Sequence, residues 1–311
     1  MKKKISMHSK GLTLKEVYAL FMKQGRARNL SEATLTDYEV KLTAFLSQCG
    51  DLFSEELSAE KVDDFIISLK NRQVKDTTIQ SYMRAVSVFC HFAIEEGYCD
   101  SFKIHLPKAE TPIKDTYSDS ELALLLEKPN IRKCSFAELR TWALICFLTG
   151  TGCRIGTALN VRIADIDFES GLIQFCKTKN RKSQVIPLSS ALSVVLREYL
   201  RFRNGQGDDY LFCTECGEQA TVSGIQSAVK RYNRSRGVSR GSLHAFRHTF
   251  ARHYIRTGGD AFRLQRLMGH HDISQTKAYV TLFSGDLQQG FDDHNFLDRL
   301  NKKQRISLKD K

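Results

Sequence analysis

The chain has 311 residues, 41% of them hydrophobic and 26% charged, the make-up of a globular protein of about two domains. Lys and Arg total 47 against 35 Asp and Glu, and a formal charge of +12 favours polyanion partners, nucleic acid ahead of an anionic membrane. No apolar run reaches the ~18 residues of a transmembrane helix, and none follows the lysine-rich start as a signal peptide requires.

The first hundred residues read as successive helices. Thr13 can cap a segment carrying Leu14, Val17, Tyr18 and Phe21, and Ser31 another with Leu35, Tyr38, Leu42, Phe45 and Leu46 at helical spacing. A short helix follows around Val62, Phe65, Ile66 and Leu69. Asp76 then precedes a long one with Ile79, Tyr82, Met83, Val86, Cys90, Ala93 and Ile94 on one stripe, ended by Gly97. Residues 1–100 therefore make an all-α module. Residues 101–117, with Pro107, Pro112 and several basic side chains, read as a linker.

Past Ser118 the pattern mixes. Helices are expected at Asp119–Glu127, Leu139–Leu148 and from near Arg154. Leu172–Cys176 and Gln184–Leu188 read as two strands joined by the basic tip from Lys177 to Lys182. Helices resume at Ser190–Phe202, Val222–Ser235, Leu243–Arg256, Asp260–Met268 and Ser274–Phe283. The fold class is mainly α with a small antiparallel sheet in an α+β second domain, residues 118–290, and a basic C-terminal segment, 291–311.

Nine cysteines, an odd number scattered through predicted elements, point to a reduced cytoplasmic protein and not to a disulfide framework. Cys213 and Cys216 have the spacing of half a zinc site, but no second pair completes it, so a turn is the better reading and no metal is expected.

Four local features carry chemistry. In the run Thr149–Ile155, two glycines before a helix allow close backbone approach to an anion, and Arg154 adds a planar charged fork suited to phosphate oxygens. His244 and Arg247, three apart on one helix, share a face. His248, Arg252 and His253 read as structural partners or solvated side chains. Gly269 ends a helix, and His270 sits where the chain turns. Tyr279 lies on the next helix. Each is weak alone: a solvated arginine, a polar helix face and a core tyrosine are the ordinary readings.

Taken together, in type, order and spacing, these residues resemble the tyrosine recombinases, or phage integrase family. The resemblance rests on T-G-x-R-I around Arg154, a basic hairpin, H-x-x-R from His244, and L-M-G-H followed nine residues later by Tyr279. It covers about 119–283, and the N-terminal module is similar in layout to the family's core-binding domain.

The resemblance implies site-specific cutting and rejoining of double-stranded DNA through a covalent 3′-phosphotyrosyl intermediate, by four protomers on two DNA sites. Arg154 and Arg247 would clamp the scissile phosphate. His244 and His270 would donate to it or assist proton transfer, and Tyr279 would be the nucleophile. A hairpin lysine would protonate the leaving 5′ oxygen; Lys177 is favoured, with Lys179 the alternative. Neither metal nor cofactor is implied, and phage integration, transposon movement and chromosome-dimer resolution all fit. One departure is Thr157, where members often carry an acidic residue. The rival readings are a type IB topoisomerase and a DNA-binding regulator without catalysis.

Overall fold

The computed structural model describes residues 11–107, 115–176 and 183–270, and beyond them 272, 273, 276, 277 and 279. The chain divides into two compact units, 1–112 and 113–311.

In the first unit, α1 (Leu14–Ala27), α2 (Glu32–Cys49), α3 (Ala59–Asn71) and α4 (Asp76–Glu95) pack around one core. Thr13 starts α1 with a reciprocal capping box to Glu16, and the Ser31 hydroxyl accepts from the Thr34 amide at the start of α2. The stripe of α4 meets both α2 and α3, so Ile79, Met83, Val86 and Phe89 lie fully buried. Aromatic side chains fill the centre, with Phe45 edge-on to Phe65 and Phe21 edge-on to Phe89.

The second unit is organised by a central helix. After α5 (Asp119–Leu126) comes α6 (Phe136–Thr151), which packs against α5, against a one-turn helix α7 (Ile155–Ala158), and against three later helices. These are α8 (Ser190–Arg203), α9 (Val222–Ser235) and α10 (Leu243–Arg256). Because α6 is surrounded, it buries Leu139, Trp142, Ala143, Leu144, Ile145, Phe147 and Leu148 with little amphipathic stripe.

α6 is longer than the expected Leu139–Leu148, and this corrects the reading of the glycine pair. Gly150 lies inside the helix, where a Cβ would meet the Leu192 side chain of α8 at 3.3 Å. Its role is close helix packing. Gly152 alone forms the turn, in the left-handed conformation at φ 63°.

The sheet has three antiparallel strands, β1 (Ile166–Asp167), β2 (Leu172–Phe175) and β3 (Gln184–Pro187). Ile173 pairs with Ile186 and Phe175 with Gln184, so these four share a face, and the three apolar ones are buried. The strand β1 was not anticipated. The Cys213–Cys216 stretch is a turn, with Cys213 bridging to Gln219 and the Thr214 amide donating to the Glu218 carbonyl. After α10, the helix α11 (Ala261–Met268) ends at Gly269. Ala251, Leu264, Met268 and Tyr279 form a separate small core there. No described helix is long and apolar enough to cross a membrane.

Candidate active site

The site gathers where α6, α10 and α11 end or begin. Arg247 projects from the second turn of α10 and is 5% exposed. Its Nη1 donates to the Gly152 carbonyl at 2.7 Å and its Nη2 to the Met268 carbonyl at 2.8 Å. Two backbone acceptors from different helix ends thus fix the plane of the guanidinium before any ligand arrives. Burial, and then the positive charge of Arg154, push the Arg247 pKa down to about 10, so it stays protonated at neutral pH.

Arg154 precedes the single turn of α7, half-buried, and its charge acts on both Arg247 and Tyr279. The Tyr279 side chain is 3% exposed, and its hydroxyl hydrogen-bonds with Arg247. Burial raises the phenol's pKa above its ordinary value, and the charges of Arg247 and Arg154 oppose that rise. The resting phenol is therefore protonated.

Two imidazoles bracket the phenol ring. The His270 ring lies nearly parallel to it, centroids 6.0 Å apart and 6° between planes, with Nδ1 2.7 Å from the Thr276 hydroxyl. His248 Nδ1 shares a 2.7 Å hydrogen bond with the phenol oxygen itself. His244, one turn earlier on α10, is exposed and stands edge-on to His248 at 6.0 Å.

Arg154, Arg247, His270 and Tyr279 are thus brought together, with His244 at the margin. Lys177 and its alternative Lys179 lie outside the described residues. Among the described residues, Phe175 of β2 and residues 183–187 border an open groove of about 870 Å³ that Arg154, Thr157, Arg266 and His270 also line. Thr157, in the place of the family's acidic residue, is buried, and its backbone amide donates to the Arg154 carbonyl.

The profile of the phage integrase family matches residues 118–284, more than half the chain, and that of the phage integrase N-terminal SAM-like domain matches 24–97. The chain belongs to the phage integrase family.

Relatives agree with this membership. The tyrosine recombinase XerC of Oceanobacillus iheyensis is 28% identical over 292 residues, covering 89% of this chain and 85% of the relative. The tyrosine recombinase XerD of the same organism is 26% identical over 282 residues, covering 86% and 94%. The structure of the XerH site-specific recombinase in a post-cleavage complex with its difH substrate shares the fold at 20% identity. Its TM-score is 0.69, with 89% of this chain and 83% of that one covered. This phage integrase family member is a site-specific recombinase, an enzyme of DNA breakage and rejoining. The topoisomerase and regulator readings are not favoured.

Sequence reasoning passed over three residues of this family member's site. His248 was read as structural or solvated, yet it touches the phenol. Its position four residues after His244 and next to Arg247 was the available signal, because i and i+4 share a helix face. Gln184 donates from its side-chain amide to the Leu267 carbonyl at 3.0 Å and to the Arg266 carbonyl, tying the hairpin base to the end of α11. Thr276 holds His270. Neither of these two has a local sequence signal. Arg252 is a structural partner as read, its Nη1 donating to the Thr116 hydroxyl at 3.2 Å.

Proposed function

We propose that Tyr279 attacks the scissile phosphate of double-stranded DNA and carries the 3′ phosphate as a covalent ester until another strand's 5′ hydroxyl displaces it. Arg154 and Arg247 clamp the phosphate, His244 and His270 donate to its oxygens, and Lys177 of the hairpin protonates the leaving 5′ oxygen. The observation that carries this reading is the phenol of Tyr279 held by Arg247 under the added charge of Arg154. Two guanidiniums favour phenolate over phenol, and they stabilise the extra charge that builds on phosphorus in the transition state. The phosphotyrosyl ester conserves the energy of the broken bond, so rejoining needs no nucleotide.

The basic surplus supports wrapping of a duplex, with phosphate contacts setting position and affinity falling steeply with salt. Four protomers on two DNA sites complete the assembly, and the protein acts in the cytoplasm.

Tyr279→Phe tests the nucleophile. It should bind a nicked duplex site as the wild type does and form no denaturant-resistant adduct; an adduct that persists would place the nucleophile elsewhere.

A further inference from the structure

The phenol of Tyr279 has one hydrogen to give, and its partners decide where that hydrogen goes. Arg247 hydrogen-bonds to the phenol, and a guanidinium carries only N–H donors, so in that bond the phenol oxygen accepts. His248 Nδ1 also lies 2.7 Å from the oxygen, with the rings 5.6 Å apart. An imidazole can accept at Nδ1 when Nε2 carries its proton. In that tautomer the arrangement runs N–H from Arg247 to Oη, and O–H from Oη to His248. His270 lies parallel to the phenol ring, and its Nδ1 is engaged with Thr276.

We propose that His248 is the general base of the reaction, taking the phenol proton as Tyr279 attacks and returning it when the strand is rejoined. This rests on Tyr279 being the nucleophile. In cleavage the O–H bond of the phenol breaks and an N–H bond forms at Nδ1. The Oη–P bond forms, the bond from phosphorus to the 5′ oxygen breaks, and that oxygen takes its own proton from the hairpin lysine. In rejoining, the incoming 5′ hydroxyl gives its proton back to that lysine, the Oη–P bond breaks, and the imidazolium reprotonates Oη. The buried position of Tyr279 makes a base necessary, since burial holds the phenol in its protonated form. Arg247 and Arg154 then stabilise the oxygen that His248 has stripped.

The test compares His248→Ala and His248→Gln with wild type and with Lys177→Ala. The readout is single-turnover adduct formation on a nicked duplex, and on the same duplex with sulfur replacing the bridging 5′ oxygen. A thiolate leaves without a proton, so the sulfur substrate isolates nucleophile activation. Both His248 variants should lose ~10²–10⁴-fold in adduct rate on both substrates while binding duplex as wild type does. Lys177→Ala should recover on the sulfur substrate. Added imidazole should restore His248→Ala in part.

Recovery of the His248 variants on the sulfur substrate would assign His248 to the leaving group and overturn the proposal. So would a wild-type rate in either variant. Loss of duplex binding together with no imidazole rescue would make the residue structural and also overturn it. An adduct persisting in Tyr279→Phe would instead sink the underlying assignment, and the two failures are distinct.

Discussion

Arg247 donates from Nη1 to the carbonyl of Gly152 at 2.7 Å, joining α10 to the end of α6 across 95 residues of chain. Its second nitrogen reaches Met268 at the end of α11, so one planar group ties three helices together at the site. A lysine ammonium is a point charge on a flexible stem and cannot span both carbonyls in a fixed plane. Arg247→Lys keeps the charge and loses the geometry. The adduct rate should fall ~10²–10³-fold, the usual cost of removing one preorganised donor. Duplex affinity should change far less. Single-turnover cleavage beside a gel-shift titration checks this, and a loss confined to affinity would reduce Arg247 to a binding residue.

The carbonyl that Arg247 uses is presented by a backbone only glycine adopts readily. Gly152 has φ 63°, and a Cβ there would lie 2.2 Å from the Phe250 ring. Gly152→Ala should therefore destabilise the second unit by ~2–4 kcal/mol, combining the left-handed penalty with overpacking. Gly152→Ala with Phe250→Ala should relieve the collision and leave the backbone term. Denaturant unfolding of these two variants and of Phe250→Ala alone measures the coupling between the two positions. Strict additivity would show that the ring moves aside freely.

This part of the chain also marks where sequence reasoning stops. The first unit was readable because its signals are local: hydroxyl caps at Thr13 and Ser31, and apolar stripes on α1, α2 and α4. Around Gly150 the same logic failed. A glycine inside a helix looks like a breaker, and only the nearness of Leu192 on α8 explains why the helix keeps it. The residues meeting at Tyr279 were found through family spacing, since 125 positions separate Arg154 from it and no periodicity connects them. His248, Gln184 and Thr276 escaped because their roles are contacts made across the fold. The face shared by Phe175 and Gln184 becomes visible only once strand register is known.

That register yields another prediction. Gln184 sits on the inward face of β3, opposite Phe175, and its amide donates to Leu267 and Arg266, just before Gly269 and His270. The base of the hairpin is thereby fastened to the helix end that also receives Arg247. Gln184→Leu keeps the approximate volume and removes the donor. Gln184→Glu replaces the donor with an acceptor facing two carbonyls. Cleavage should slow by roughly 10–10²-fold in Gln184→Leu, as expected for small displacements of reacting groups, and further in Gln184→Glu. Duplex binding should hold in both, and an unchanged adduct rate in Gln184→Glu would show that the fastening has no bearing on chemistry.

Alkaline stability gives a prediction that does not depend on DNA. Tyr117 is fully buried and stacks on Phe246, the neighbour of Arg247, with ring centroids 4.4 Å apart. Its hydroxyl donates to the Ser242 carbonyl at 3.3 Å and accepts from Asn233 at 3.1 Å. Burial pushes its pKa up to about 12, against an ordinary ~10 in the unfolded chain. Between these values the unfolded state releases a proton that the folded state keeps. Stability must then fall as pH rises, by up to ~1.4 kcal/mol per pH unit for this group. The contribution is fully present below about pH 10 and disappears as pH climbs through the folded value. Burial raises Tyr199 and Tyr232 in the same direction, and the thiols of Cys146 and Cys153 as well. The total slope is therefore shared among several groups. Subtracting the urea-unfolding profile of Tyr117→Phe from that of the wild type isolates the one tyrosine. The variant should start ~1 kcal/mol less stable at pH 8, having lost a buried hydroxyl's hydrogen bonds, and the two curves should converge above pH 10. Parallel curves over that range would mean that Tyr117 ionises no differently folded than unfolded.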